Sequence, residues 1–275
     1  MTTTLLLTGC STGIGYYCAH ALHDAGYFVV ASCRKYDDVE RLKQEGLHCV
    51  QLDMDSEDSI EQGLAAALEL MDGKLDILFN NAAYGQPGAL EDLPTAALRQ
   101  QFESNLFGWH HLTKAVIPLM LKQGSGKIVQ NSSVLGLVAM KYRGAYNASK
   151  FALEGYTDTL RLELSDTPIH VSLIEPGPIE SQFRANAKTK FEQYIEMASS
   201  RHHANYQKTL ERLGKASPSN KFTLGPEAVL KPLQAIIDSP NPATRYYVTQ
   251  PTYLFGFLKR ILPTQWLDNI LRKSN

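Results

Sequence analysis

A doubly wound α/β fold with a single parallel sheet is the architecture predicted for this chain, and three observations predict it. Short runs rich in β-branched residues alternate with longer helical patterns. Those runs are apolar without in/out alternation, as strands covered on both faces are. A glycine-rich turn follows the first of them, at the start of the strand-helix series. In order, the elements read as "TLLLTG", a helix from Ile14 to about Ala25, "FVVASC", "CVQLDM", a helix through "SIEQGLAAALELM", and "LDILFNN". A long helical stretch follows from about Thr95 to Lys122, then "GKIVQNSS", a helix from about Gly144 to Ser165, and "IHVSLIEPG". No linker or repeat interrupts the series before Gly177, so one domain is expected over residues 1–275. Beyond Gly177 the chain turns polar and helical with scattered aromatics, and residues 179–225 are expected to form a lid over the site. "LGPEAVLKPLQAII" reads as a helix with Pro226 in its first turn, "RYYVT" as a last strand, and residues 251–275 as an amphipathic extension.

Composition narrows the function. Of 275 residues, 44% are hydrophobic and 20% charged, which is ordinary for a chain that buries a sizeable core. A formal net charge of −1 with no local basic patch argues against a nucleic-acid partner. Cys10, Cys18, Cys33 and Cys49 form no C-x-x-C pair and have no histidines at zinc spacing, so they read as small buried hydrophobes. The first apolar run begins too close to Met1 for a leader, and no run reaches the eighteen or so apolar residues that span a bilayer. A cytoplasmic, reduced location is expected.

"TGCSTGIG" places Gly9, Gly13 and Gly15 at a strand-to-helix junction, with Ser11, Thr12 and Ile14 between them. Glycines there permit a tight turn and let backbone N–H groups approach a pyrophosphate at the helix N-terminus. A site that takes NAD usually carries an acidic residue after the second strand, whereas an arginine accommodates a 2′-phosphate. Here "FVVASC" ends in Arg34-Lys35, so NADP(H) is the expected cofactor, with Arg34 on the 2′-phosphate. "LDMD" sets Asp53 and Met54 at the lip of the sheet, near the adenine. "NNAA" sets Asn81 and Ala82 near the adenosine ribose by the same edge rule. Taken singly, such residues after strands are turn or cap residues. In "YNASK", Tyr146 and Lys150 stand one helical turn apart and project side by side.

These residues resemble a known family, the short-chain dehydrogenases/reductases. "TGCSTGIG", "NNAA", "SNLFG", "NSSVLG", "YNASK" and "EPGPI" occur in that family's order and spacing, over roughly residues 3–185. Within the family, "TGCSTGIG", "CRK" and "SLIEPGPI" are most similar to the branch of 17-beta-hydroxysteroid dehydrogenases, retinol dehydrogenases and bacterial NADP-dependent aldehyde reductases. The resemblance implies a Rossmann fold and a catalytic set of Asn105, Ser133, Tyr146 and Lys150, with Lys150 also on the nicotinamide ribose. It implies cofactor contacts from Pro176, Gly177, Ile179 and Ser181 as well. Two departures stand out: Ala83 where glycine is usual, which limits that turn, and Ser181 where threonine is common, which keeps the hydroxyl that would bond the nicotinamide amide.

Carbonyl reduction needs a hydride on carbon and a proton on oxygen, and the cofactor brings only the hydride. A phenol near pKa 10 is a poor acid at neutral pH, so Lys150, with an oxidised nicotinamide nearby, is expected to pull Tyr146 toward the working range. Ser133 would donate to the substrate oxygen, and Asn105 would by resemblance hold a water that resupplies the proton. Each residue alone has a plain structural reading, and it is the set in register with a phosphate cradle that favours the chemical one. Leu135, Tyr142, Phe183 and Phe191 are candidate walls of an apolar pocket. His202 and His203 lack metal-ligand spacing and read as exposed. The tail, with apolar residues at helical spacing beside Lys259 and Arg260, can lie on a membrane surface, pack on its own domain or meet another subunit. Packing or a subunit contact is favoured, and a homo-oligomer is expected.

The expected function is NADP(H)-dependent reduction of lipophilic aldehydes or ketones to alcohols, or the reverse. A catalytically idle NADP-sensing or scaffold protein would be expected to have lost the Tyr or the Lys. A sugar-nucleotide epimerase or dehydratase would carry G-x-x-G-x-x-G and a larger C-terminal domain.

Overall fold

A computed structural model describes residues 2–214 and 221–273. Residues 215–220 of the expected lid and the last two residues of the tail therefore lie outside the described residues. The first half runs β1 (Thr4–Leu7), α1 (Gly13–Asp24), β2 (Phe28–Cys33), α2 (Tyr36–Gln44), β3 (His48–Gln51), α3 (Glu57–Leu70), β4 (Ile77–Asn80) and α4 (Thr95–Phe102). A π-helical turn over Glu103–Phe107 leads into α5 (Gly108–Gln123), then β5 (Gly126–Asn131), a 3-10 turn over Val134–Gly136, α6 (Gly144–Glu163) and β6 (Ile169–Glu175). The remainder is α7 (Phe183–Tyr194), α8 (His203–Leu213), α9 (Glu227–Asp238), β7 (Arg245–Tyr247), α10 (Gln250–Ile261) and α11 (Thr264–Leu271).

Among the described residues, seven strands form one parallel sheet in the order β3-β2-β1-β4-β5-β6-β7. The order reverses between β1 and β4, and in such sheets the crevice beyond the strand ends at that point is where ligands bind. Successive residues of each strand feed two separate cores. Leu5, Leu7, Val29 and Ala31 meet Leu22 and Leu233 on one face, while Leu6, Val30 and Leu78 meet Ile60, Trp109 and Leu153 on the other. That is why the strands read as continuous apolar runs. Each fully buried side chain of this size stabilises the fold by about 1.5–3 kcal/mol. The four cysteines are free and buried, as their apolar setting predicts.

Three local features differ from expectation. α2, not anticipated from the sequence, buries only Val39 and Leu42, and is held by Asp37 and Asp38 in its first turn, Arg41 and Lys43 in its last, and an Arg41–Glu45 pair. The third strand ends at Gln51, because Asp53 folds back to accept the Asp55 N–H at 3.1 Å and Ser56 then caps α3. The long helix expected over 95–122 is interrupted by the π turn, which carries Asn105 into the interior. α10 and α11 do pack on the domain: Phe255, Leu267 and Leu271 lie against Val134, Leu135 and Val138.

Candidate active site

The glycine-rich turn is built around two positive φ angles, +70° at Gly9 and +62° at Gly13. A Cβ on Gly9 would lie 2.6 Å from Ala82 Cα, and one on Gly13 would lie 2.8 Å from Ser181 Cβ, so both need glycine for conformation and for space. Thr12 begins α1 without a side-chain capping bond, which leaves the first-turn N–H groups of that helix available to an anion. Ser11, Thr12, Gly13, Ile179 and Ser181 line a cleft of about 1150 Å³ between this turn and α7. Arg41, which sequence reasoning missed, also lines it, and its Nη2 donates to Ser11 O at 2.7 Å. Ile14 packs on the core beneath the turn.

A continuous set of hydrogen bonds joins this turn to the Tyr-Lys pair. Thr8 Oγ1 accepts the N–H groups of Asn81 (2.8 Å) and Ala82 (3.0 Å). Asn81 Nδ2 donates to Thr8 O (2.9 Å), and Asn81 Oδ1 accepts from Asn131 Nδ2 (2.8 Å). Asn131 O in turn accepts from Lys150 Nζ at 2.8 Å. The Asn81 side chain, expected near a ribose, ties strand ends together. Ala82 O accepts from Trp109 Nε1 at 2.7 Å, and the Trp109 ring lies 4.4 Å from Lys150 Nζ. Asn105 bonds the Tyr84 backbone through both side-chain atoms and reaches Ser149 Oγ at 3.2 Å, one residue before Lys150. Asp53 and Met54 sit at the end of β3, Asp53 half-buried in its turn and Met54 buried.

Ser133 opens the 3-10 turn after β5, and its Oγ accepts the Leu135 N–H at 3.1 Å. Tyr146 lies over Lys150, with Nζ 5.8 Å from the ring centroid, and Phe183 closes edge-on against it at 5.3 Å. The electrostatics depart from the expected tuning. Burial pushes the Tyr146 phenol up to about 12, against smaller downward pulls from a hydrogen bond with Ser133 and from the Arg143 guanidinium. Burial also lowers Lys150 to about 7, with Glu154 pulling the other way. In the chain alone, desolvation outweighs any help from Lys150, and the cation that acts on the phenol is Arg143. Arg143, at the start of α6, is itself lowered to about 10 by burial and by the neighbouring charges of Arg212 and Arg184. Its position three residues before Tyr146 was the available sequence signal.

Among the expected wall residues, Phe183 packs against Tyr146 and Leu135 shares an apolar cluster with Tyr146 beneath the tail, whereas Tyr142 and Phe191 lie together in a cluster with Tyr206. His202 is not exposed. It packs against the Tyr142 and Tyr206 rings, its Nδ1 lies 3.2 Å from Tyr142 Oη, and its Nε2 lies 2.9 Å from Glu91. His203, half-buried, contacts Met197 O at 3.1 Å. No cluster that could hold a metal occurs among the described residues. Arg34 stands exposed at the end of β2, and its charge is felt by Asp55 and Tyr84. Pro176 O accepts the Val134 N–H at 2.8 Å, which brings the β6 end beside the Ser133 turn. Gly177 follows it, packed against Thr249 and Thr252.

The residues fit a dinucleotide. The helix end is uncapped, Lys150 uses one of its three donors on Asn131, and the buried Asn131 Oδ1 has no partner among the described residues. A doubly wound sheet with this turn and a Ser-Tyr-Lys set at its strand ends defines an oxidoreductase that binds a nucleotide cofactor. The chain belongs to the short chain dehydrogenase family, which matches residues 3–192. It is 42% identical to an uncharacterized oxidoreductase, YbbO, of Escherichia coli K12, over 99% of this chain and 95% of that protein. Human retinol dehydrogenase 8 is 40% identical over 66% of this chain and 60% of its own length. A short chain dehydrogenase/reductase from Burkholderia phymatum, solved in complex with NAD, superposes with a TM-score of 0.78 at 26% identity, covering 94% of this chain and 92% of that one.

Proposed function

We propose that the protein uses NADP(H) to reduce lipophilic aldehydes or ketones to alcohols, or to run the reverse reaction, with Tyr146 as general acid/base. The observation that carries this reading is the hydrogen-bonded path from the Gly9 turn through Asn81 and Asn131 to Lys150, beneath Tyr146. It fixes the proton-handling groups relative to the phosphate cradle. When bound, the reduced cofactor supplies a hydride to the carbonyl carbon. Ser133 donates a hydrogen bond to the carbonyl oxygen and holds it beside the Tyr146 hydroxyl, which gives that oxygen its proton. Lys150 and Arg143 then face a phenolate and stabilise it until a proton returns from solvent. Phe183 and Tyr142 give the mouth an apolar wall, and the described residues of the expected lid, 179–214 and 221–225, cover it. The retinol dehydrogenase among the relatives supports a lipophilic carbonyl as substrate.

Following NADPH absorbance against a panel of aldehydes, ketones and matching alcohols tests the reading. Turnover that rises with chain length or ring content is expected, and turnover that never exceeds the blank would leave an idle nucleotide-binding scaffold instead. The choice of NADP(H) is read from Arg34, exposed directly after β2, since an arginine after the second strand accommodates a 2′-phosphate. Arg34→Asp is expected to lower the ratio of kcat/KM for NADPH over NADH by about tenfold or more, the worth of about 1.4 kcal/mol at one charged contact. An unchanged ratio would refute this assignment.

A further inference from the structure

The tail presents a second face that neither the core nor the reaction uses. On α10 the buried residues Thr252, Phe255 and Gly256 point toward the domain. On the opposite side Leu254, Phe257 and Ile261 recur at helical spacing and are 54%, 60% and 55% exposed. Tyr253, 60% exposed, stands beside the stripe edge-on to Tyr247, Trp266 of α11 is 64% exposed, and Phe151 of α6 lies beneath Lys259. Single exposed apolar residues need no explanation, but three large ones on one helix face, as Leu254, Phe257 and Ile261 are, mark an interaction surface. Basic residues accompany it: Lys259, Arg260, Arg272 and Lys273 against the one acidic residue, Asp268, between residues 250 and 273.

We propose that α10 and α11 lie flat on an anionic lipid surface, with Leu254, Phe257, Ile261 and Trp266 in the acyl boundary and the four basic residues at the phospholipid head groups. Charge decides for lipid over a second copy of the chain. A twofold contact would set this basic edge against itself, with Asp268 alone to offset its four cations, whereas anionic head groups complement it. Tyr253 and Trp266 are the side chains that settle at a membrane-water boundary. Twelve and eight residues are too short to span a bilayer, and no helix among the described residues is long and apolar enough to do so. The inner face of the tail packs on Leu135 and reaches Tyr146 through the same apolar cluster, so docking would bring the site close to the lipid. Only the corollary, that a lipophilic substrate arrives from the bilayer, rests on the proposed reaction.

Flotation of the full chain with vesicles provides the test. The protein is expected to rise with phosphatidylcholine vesicles containing phosphatidylglycerol, much less with phosphatidylcholine alone, and less again at high salt. The double variant Phe257→Ser/Trp266→Ser should lose about tenfold or more in partitioning while turning over a short soluble aldehyde as the wild type does. Wild-type protein that stays at the bottom of both gradients overturns the proposal, as does a double variant that floats unchanged. So does a halved mass of the variant by light scattering without any flotation of the wild type, which would make the stripe a subunit contact. Failure of the proposed reaction registers separately, as absent turnover with flotation intact.

Discussion

Burial sets the resting state of the two groups that would move the proton. Tyr146, pushed up to about 12, is a protonated phenol at neutral pH, the state a proton donor requires. Tyr146→Phe removes that proton and little volume, so kcat is expected to fall by about 10³-fold, within the range for a positioned acid or base. NADPH affinity, measured by fluorescence titration, should change by no more than about twofold. Full activity in that variant would remove Tyr146 from the reaction. Lys150 makes a stability prediction with a definite sign. Its folded value of about 7 lies below the ordinary value, so the unfolded chain holds more protons between pH 7 and about 10, and stability rises with pH there. Below pH 7 the buried ammonium exerts its full cost. Without cofactor, Lys150→Met should therefore melt higher than the wild type at pH 6 by an amount on the order of 1 kcal/mol, or about 2–4 °C, relative to the same comparison at pH 9. A difference between the two proteins that does not change with pH would mean that Lys150 titrates normally.

At the scale of elements, the turn between β1 and α1 is constrained by what surrounds it. A Cβ on Gly15 would meet Gly9 O and lie 2.7 Å from Asn81 Nδ2, the atom that holds the turn to β4. Gly15→Ala is expected to cost about 1–3 kcal/mol and to weaken NADPH binding together with it. Gly155, exposed on α6 with nothing within 4 Å of an added Cβ, is the control: Gly155→Ala should stabilise by about 0.5–1 kcal/mol in the same urea titration. Equal effects at the two positions would mean that the turn tolerates a side chain. The contrast also explains what the sequence made legible. The strands were readable because both faces of Leu5–Leu7 and Val29–Ala31 are covered, and the glycine turn because its place after β1 is distinctive. α2 was hidden by its two buried residues among charges, and the π turn because one wider turn barely alters an apolar pattern. The Asn81–Asn131–Lys150 path joins residues separated by 50 and 19 positions, and no local signal encodes such pairs. His202 was misplaced for the same reason, since its partners Tyr142 and Glu91 lie far away in the chain.

For the molecule as a whole, one guanidinium joins the sheet edge to the helix that carries Tyr146 and Lys150. Arg245 of β7 reaches Glu154 (2.5 Å) and Asp158 (2.7 Å) on α6 and Glu175 (2.6 Å) at the end of β6. Ser132, beside Ser133, also bonds Glu154. Burial and the nearby Glu154 push Glu175 up, while Arg245 pulls it down and is itself held above its ordinary value by Glu154, Glu175 and Asp158. Removing the cation leaves Glu175 without its ion-pair partner and Glu154 with only the Ser132 hydroxyl, a loss of about 3–5 kcal/mol when both carboxylates are ionised. The folded pKa of Glu175, already raised to about 8, would then rise further, so the folded state would hold that proton to higher pH than the wild type does. The stability gap between Arg245→Met and the wild type should accordingly widen as pH rises from about 7 to 9, where wild-type Glu175 gives up its proton and the variant's Glu175 keeps it. Urea unfolding at the two ends of it measures the difference. If the gap is the same at both ends, Arg245 acts by filling space, and the register of α6 on the sheet depends on packing alone; if it widens, a charge network reaching from the edge strand to α6 helps to hold Tyr146 and Lys150 in place.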